Sequence, residues 1–394
     1  MVTILLVLIC IIYIGLGLPD SLLGAAWPSI YPDFNIPVGN ASILTVLISF
    51  FTALTSFFSA RFINKFGTGF VTTVSTLLTA VGLLGFALSN SFIWLCVLGV
   101  PLGIGAGAID SALNDYVANH YKSSHMNFLH SFYGIGVAVS PYVMSFALGG
   151  AGGWRQGYLN IFFIQLGIFA LSVVALPLWK KVKSNQPTEE NFTPITLRLK
   201  HMIKMPSVRL SWIVFFSTCA LEFTCGIWGC TYLVSSQGLN EAVAAKYITL
   251  YYIGITVGRL VSGLISSKLD AKIIVFSGYT FVAVALVLLV LPIPAPIKGV
   301  ALFLIGLGNG PTFPNLSYMT PQFFGRDISR SIMGTTMVTA NLGICLAPPL
   351  FGLIAQHVDV GLFPYYLILL YVAMLVATVA YLKCPKQKSS DIKF

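Results

Sequence analysis

The sequence predicts an all-α membrane protein of twelve transmembrane helices. Charged residues make up 9% of its 394 residues, against roughly 25% in an ordinary soluble domain. Hydrophobic residues make up 57%, and the mean hydropathy is +0.87. The apolar residues gather into stretches of about 20, the length that crosses a hydrocarbon core of about 30 Å. So few charges cannot cover the surfaces of soluble domains, so lipid is the solvent for most outward-facing side chains. Lipid leaves an exposed backbone N–H or C=O without a partner, which makes each crossing a helix rather than an open strand.

In chain order the spans are expected at 3–30, 41–60, 67–89, 91–119, 127–149, 155–179, 209–236, 243–266, 272–292, 297–320, 330–355 and 361–382. The first is read as a span and not a cleaved leader. No Lys or Arg precedes Arg61, so a basic n-region is missing, and the apolar stretch is too long. Arg61 and Lys65 follow span 2, Lys122 follows span 4, and Lys268 and Lys272 follow span 8. Arg326 and Arg330 follow span 10, and Lys383, Lys386, Lys388 and Lys393 follow span 12. Between spans 6 and 7 lie Lys180, Lys181, Lys183, Arg198, Lys200, Lys204 and Arg209. All but four of the 22 basic residues thus fall on one side, the exceptions being Arg155, Lys246, Arg259 and Lys298. By the positive-inside bias, both termini are expected in the cytoplasm of a multi-pass cell-membrane protein. The net charge of +10 is this topological bias, and no nucleic-acid partner is expected.

The longest polar segment, Lys180 to Arg209, divides the spans six and six. It suggests an N-terminal bundle over 1–180, a cytoplasmic linker over 181–208 and a C-terminal bundle over 209–394. Pro187, Thr188, Glu189 and Glu190 read as solvated linker, and Ile195 to Lys204 as a short basic helix along the membrane surface. The seven cysteines (Cys10, Cys96, Cys219, Cys225, Cys230, Cys345 and Cys384) fall mostly inside spans without metal-ligand spacing. They read as small buried hydrophobes, and no metal is expected.

The two sets of six spans repeat one another. Ala60-x-x-x-Asn64-Lys65 after span 2 matches Gly263-x-x-x-Ser267-Lys268 after span 8, at an offset of 203. Gly103-x-Gly105-x-Gly107 in span 4 matches Gly306-x-Gly308-x-Gly310 in span 10, again at 203. Asp20-x-x-x-Gly24 in span 1 matches Glu222-x-x-x-Gly226 in span 7, at 202. Three correspondences at nearly one offset predict two parallel, pseudo-symmetric six-helix bundles. This duplication resembles the major facilitator superfamily, over nearly the whole chain. The segment after span 2 is similar to that family's loop motif Gly-x-x-x-Asp-Arg/Lys-x-Gly. Ala60 and Asn64 replace its Gly and Asp, while Lys65 and Gly67 remain.

Four acids lie well within spans: Asp20, Asp110, Asp115 and Glu222. A carboxylate at bilayer depth costs at least about 2.5 kcal/mol, so each needs a cavity, a partner or a proton. Asp20 stands among Gly15, Gly17, Pro19, Gly24 and Pro28, with Gly24 and Trp27 on its own helix face. An acid beside a flat apolar ring suits a sugar, whose hydroxyls need acceptors while its C–H face stacks; a hydrogen-bonded structural Asp is the alternative. Asp110 shares a face with Gly103, Gly107 and Asn114, a small-residue face that packs on protein. Glu222 shares a face with Gly226 and Gly229. Either Asp110 or Glu222 is placed to carry a coupling proton, or else to make a structural polar contact. Asp115 reads as part of a cytoplasmic ion-pair network, with Arg259 as a candidate partner. His130, Phe132 and Tyr133 open span 5, and Asn160, Gln165, Asn315 and Asn341 lie within spans. Singly each is an ordinary interhelical contact; together they favour a polar solute.

Two segments carry a closer resemblance: Leu18-Pro19-Asp20-Ser21-Leu22-Leu23 in span 1 and Gly105-Ala106-Gly107-Ala108-Ile109-Asp110-Ser111-Ala112-Leu113-Asn114 in span 4. Gly258-Arg259, Ser267-Lys268 and Phe313-Pro314 add to it. These are similar to the fucose–galactose–glucose proton symporter branch of the superfamily. The resemblance implies proton-coupling and sugar-binding roles for Asp20 and Asp110, with Asp110 one methylene shorter than the Glu usual there. Asn114 matches a polar position of that branch. The stretch Asn127 to Gly136 is similar to its sugar-contacting segment. His130 stands where fucose-type members have Gln, and Tyr133 where they have Asn. Glu222 matches the Glu of glucose-type members. Gly136 to Met144 meets the span-5 antiporter signature poorly, with Ser140 before Pro141.

The expected function is proton-coupled symport of a monosaccharide, a hexose, by alternating access. Proton coupling falls to Asp20, Asp110 and Glu222. Substrate binding falls to Asp20, Trp27, Asp110, Asn114, His130, Tyr133, Glu222, Trp228 and Asn315. No cofactor beyond the proton gradient is expected: the sequence has no Gly-x-x-x-x-Gly-Lys-Ser/Thr loop and no catalytic Ser/His cluster. The protein is expected to be a monomer in the lipid bilayer and not an enzyme. The alternatives are an exporter or facilitator of another polar metabolite or drug, and a transport-dead membrane sensor.

Overall fold

The computed structural model describes residues 2–120, 123–179, 199–266 and 268–385. These form α1 (Val2–Asp33), α2 (Ala41–Phe66), α3 (Thr68–Leu88), α4 (Phe92–His120), α5 (Ser123–Gly149) and α6 (Gly153–Trp179). After the short α7 (Leu199–Lys204) come α8 (Pro206–Ser235), α9 (Glu241–Ile265), α10 (Ala271–Val290), α11 (Ala295–Asn309), α12 (Thr312–Phe324), α13 (Arg326–His357) and α14 (Phe363–Lys383). No strand occurs among the described residues. Proline falls in the first turn of α8, α11 and α14, where its missing N–H has no intrahelical acceptor to lose. Asn240 and Asp270 cap α9 and α10 by accepting from Ala242 N and Lys272 N, each at 2.9 Å. Gly67 turns the chain between α2 and α3 at φ +84°, a conformation in which a Cβ would be strained.

Eleven helices among the described residues are long and apolar enough to cross a membrane. The remaining expected span, the tenth at 297–320, is not one helix: it breaks into α11 and α12 at Gly310 and Pro311. Pro311 cannot donate to Leu307 O, and Pro314 cannot donate to Gly310 O, so the ladder fails there twice. Of the basic surface helix expected over 195–204, Leu199–Lys204 is α7, and 195–198 lie outside the described residues, as do Lys180 to Arg198 of the linker and Ser267.

The spans form two six-helix bundles built on the same contacts. In the first, α4 crosses α2 where a Cβ at Gly103 or Gly107 would strike Ile48 O or Thr52 O. It crosses α3 where Gly105 meets Ser75 O. In the second, α11 crosses α9 where Gly306 and Gly310 meet Tyr251 O and Ile255 O, and crosses α10 where Gly308 meets Gly278 O. Each of these six residues lies 203 positions after its counterpart, so the repeat extends from the glycines to the carbonyls they touch. The pairing of α1 with α5 through Gly136 and Ile14 O returns as α8 with α13 through Gly343 and Phe216 O.

The bundles meet mostly at one end of the spans they share, with a further contact at mid-span where Gly134 of α5 meets Thr256 of α9. Gly24 of α1 abuts the Gly226 backbone of α8, and Cys230 Sγ lies 3.4 Å from Ala25 O. Ser29 donates to Glu241, and Ser145 Oγ donates to Ala242 O at 2.7 Å. Ser42 of α2 packs on Gly352 of α13, and Ser49 lies beside Cys345. Apart from the one at Gly134, every one of these contacts lies in the half of its helix away from α7. Nearer α7, Asp20, Asp110 and His130 are exposed although they lie within spans, which marks the space between the bundles as open toward that end.

Two outcomes check this arrangement. Gly306→Val forces a branched side chain into a backbone contact and is expected to cost about 1–3 kcal/mol, seen as a lowered Tm of the purified protein. Ser49→Cys is expected to form a disulfide with Cys345 under mild oxidation. Mass spectrometry of the linked peptides would detect it, and reductant would reverse it.

Candidate functional site

The acids predicted from sequence stand where the bundles separate. Asp20 and Asp110 are exposed, although both lie deep within membrane-spanning helices. They face the space between the bundles while holding hydrogen bonds from neighbouring helices. Asp110 Oδ1 accepts from Tyr13 Oη at 2.5 Å and from Asn114 Nδ2 at 2.8 Å. Asn114 Nδ2 also reaches Tyr13 Oη at 2.8 Å, so α1 and α4 share one network. Asp20 Oδ2 accepts from Tyr133 Oη of α5 at 2.6 Å. The His130 ring stands edge-on to Tyr13, with centroids 5.6 Å apart. Tyr133 lies 6.2 Å from Tyr13 by the same measure. Two carboxylates and the rings of His130 and Tyr133 therefore line one wall, with Tyr13 buried behind them.

The opposite wall is electrically different. Glu222 of α8 pairs with Arg259 of α9 at 3.0 Å, the side chains being 17% and 25% exposed. Its other oxygen lies 3.4 Å from Asn309 Nδ2 of α11, and its backbone carbonyl accepts from Tyr251 Oη at 2.7 Å. Arg259 Nε donates to Gly310 O at 3.2 Å, the carbonyl that Pro314 leaves without a helical donor. At the repeat-equivalent place in the first bundle, Ser56 Oγ donates to Gly107 O at 3.1 Å. The backbone is the same and the side chain is not: a hydroxyl in one bundle, a guanidinium in the other. Tyr252 projects its hydroxyl against Gly226, within electrostatic reach of Asp20 and Glu222. Among the described residues the ion pairs are Glu222–Arg259 and, near the closed end, Asp33–Arg155. Asp20 and Asp110 meet no cation there.

The fold and this site accompany a clear family match, to a model described as Major Facilitator Superfamily and spanning residues 9–348. The chain belongs to the Major Facilitator Superfamily. It is a multi-pass membrane protein whose family and fold are those of membrane transporters. This superfamily member is 23% identical over 395 residues to Bypass of stop codon protein 6 of Saccharomyces cerevisiae, covering 91% of this chain and 78% of that one. It is 23% identical to the cis,cis-muconate transport protein of Acinetobacter baylyi, over 88% and 86% of the two chains. It is 22% identical to the glucose/mannose transporter GlcP of Bacillus subtilis, over 74% and 73%. In fold it is similar to the inward-facing, unoccupied crystal structure of a bacterial homologue of the human lysosomal transporter Spinster. That likeness has a TM-score of 0.73 and covers 96% of each chain at 12% identity.

Of the residues expected to contact solute, this transporter gathers Asp20, Asp110, Asn114, His130, Tyr133 and Glu222 about the open space. Trp27, Trp228 and Asn315 are placed elsewhere. Both indoles are 0% exposed, with their N–H groups bonded to Val38 O and Pro348 O at 2.8 Å each. Trp27 shares the helix face of Asp20 but lies two turns farther along it, and Trp228 is turned about 120° from Glu222; both sit inside the closed end. Asn315 is buried, donating to Ser262 Oγ at 2.8 Å and to Pro311 O at 2.7 Å, and it serves the broken helix. Arg259 pairs with Glu222, not with Asp115. Gln165 is buried against Thr79 at 2.7 Å, a contact within the first bundle. Sequence reasoning missed Tyr13, Tyr252 and Asn309. Tyr13 was within reach, being two helical turns before Asp20 on the same face.

Removing one partner of a buried ion pair costs about 3–5 kcal/mol. Glu222 and Arg259 are partly exposed, so Arg259→Ala is expected to cost about 2 kcal/mol by the same argument. Thermal unfolding would show this, and adding Glu222→Gln should recover most of the loss.

Proposed function

We propose that this superfamily member is a proton-coupled symporter of a neutral monosaccharide, a hexose, of the fucose–galactose–glucose type. The two bundles, 1–180 and 209–394 with 181–208 joining them, rock about the space between Asp20, Asp110 and Glu222. The observation that carries the reading is the unequal charge of the two walls. Two carboxylates deep in the span have tyrosine hydroxyls for partners and no cation among the described residues. An ion so placed is costly at bilayer depth, and a proton removes the cost. Asp110 and Asp20 are therefore assigned the coupling protons. Glu222 is paired with Arg259 and is assigned to the solute.

The same inventory speaks for a neutral solute. Three carboxylates against one guanidinium repel an anion such as a dicarboxylate. Carboxylates, the Asn114 amide and the rings of Tyr133 and His130 supply hydroxyl acceptors and a stacking wall, with the buried Tyr13 holding Asp110 from behind. The name of the Bacillus subtilis relative, a glucose/mannose transporter, points the same way. The end carrying α7 also holds Arg61, Lys65, Lys204, Lys272 and Lys383. We assign it to the cytoplasm of a cell-membrane protein by the positive-inside bias, which makes the present state open inward. The protein is taken to act as a monomer, with the proton gradient as its only energy source.

Purified protein in liposomes, offered glucose, galactose, mannose and fucose, tests this. A one-unit inward pH gradient coupled to one proton supports at most about tenfold accumulation. Asp110→Asn and Asp20→Asn should abolish that accumulation while leaving counterflow exchange measurable. Uptake indifferent to the gradient and to both substitutions would sink the reading, and net outward drug flux would replace it with export.

A further inference from the structure

We propose that α7 and the basic surface beside it bind a negatively charged phospholipid, with headgroup on lysine and acyl chains on leucine and isoleucine. The proposal is independent of the solute carried.

Successive residues of a helix are turned by about 100°, so Leu199, Met202 and Ile203 share one face of α7. Met202 takes the edge of that face that meets protein. It is 4% exposed, packed among Met205, Val208, Phe324 and Tyr381, with its sulfur 3.7 Å from Thr335 Oγ1. This anchors α7 to the second bundle. Leu199 and Ile203 occupy the rest of the face and remain 57% and 49% exposed. On an aqueous surface that pair would be left in water; at the boundary of a bilayer it has hydrocarbon to enter.

On the flanking segments 199–221 and 360–385 the charge is of one sign. Lys200 and Lys204 lie one turn apart on the adjoining face, both exposed. Arg209 is exposed in the first turn of α8, and Lys383 in the last turn of α14, which reaches the same cluster through Tyr381. No Asp or Glu occurs in 199–221 or 360–385. A basic amphipathic helix with an exposed apolar edge lies in the interfacial plane, and each basic side chain there favours an anionic surface by about fivefold. A soluble phosphate would use the lysines but leave Leu199 and Ile203 without a role. The apolar edge is what selects lipid.

The test uses the full chain in nanodiscs of phosphatidylcholine containing a minor fraction of phosphatidylglycerol, with native mass spectrometry counting the lipid retained. Phosphatidylglycerol should be retained over phosphatidylcholine by the unaltered protein. The double variant Lys200→Gln/Lys204→Gln should lower that preference by about 25-fold, two lysines at about fivefold each. Lys65→Gln, at the same end of the first bundle, should leave it unchanged. Leu199→Ser/Ile203→Ser should weaken retention of both lipids. Equal retention by the unaltered protein overturns the proposal, as does an equal loss in Lys65→Gln. Displacement of phosphatidylglycerol by equimolar inorganic phosphate makes the patch a soluble-anion site, and overturns it too.

Discussion

Helix pairs that touch through backbone, with no side chain between them, set the geometry of both bundles. In lipid there is no hydrophobic gain in bringing one apolar helix to another, so close packing must supply the attraction. The six glycines of α4 and α11 supply it, each resting on a carbonyl of the neighbouring helix. Such a contact admits no slack. A rotation of α4 that moved Gly107 off Thr52 O would bring a Cβ of Ile104 or Ala108 toward it instead. That fixes which way Asp110, three residues on, must point. The position of the acid follows from the packing of residues that carry no chemistry.

The duplication keeps that packing and changes what hangs on it. Gly107 O and Gly310 O are equivalent carbonyls, met by Ser56 and Arg259 from equivalent places. The serine completes a helix contact. The arginine completes the same contact and holds Glu222 as well. The second bundle therefore carries its acid as half of a pair, while the first carries two acids on tyrosine hydroxyls. A symmetric pair of walls would bind a solute equally in either orientation. Unequal walls give it a head and a tail.

The sequence and the structure part company where height along a helix matters more than face. Glycine spacing is short-range, so the repeat and the twelve crossings were legible from the chain alone. Asp20, Asp110 and Glu222 were legible because a charge in an apolar run needs an explanation. Trp27 shares the face of Asp20, and a helical wheel cannot tell an open stretch of helix from a closed one. Arg259 was assigned to Asp115 because both were near one end of their spans. The rotation of α9 against α8, which brings it to Glu222, depends on packing between residues 37 positions apart. Prolines 311 and 314 were visible, yet the apolar run through them read as one crossing. Hydropathy counts side chains and is blind to a missing N–H.

The membrane potential acts on unpaired charge and largely ignores the paired kind. Glu222 and Arg259 move with the second bundle as a small dipole, so their passage through the field does almost no work. Asp20 and Asp110 meet no cation among the described residues, so whenever they are without a proton they present net negative charge to the side on which the space between the bundles opens. A charge carried across the whole field is worth about 2.3 kcal/mol per 100 mV. A carrier built this way senses voltage through two side chains of its first bundle. Its second bundle crosses the same field almost unnoticed.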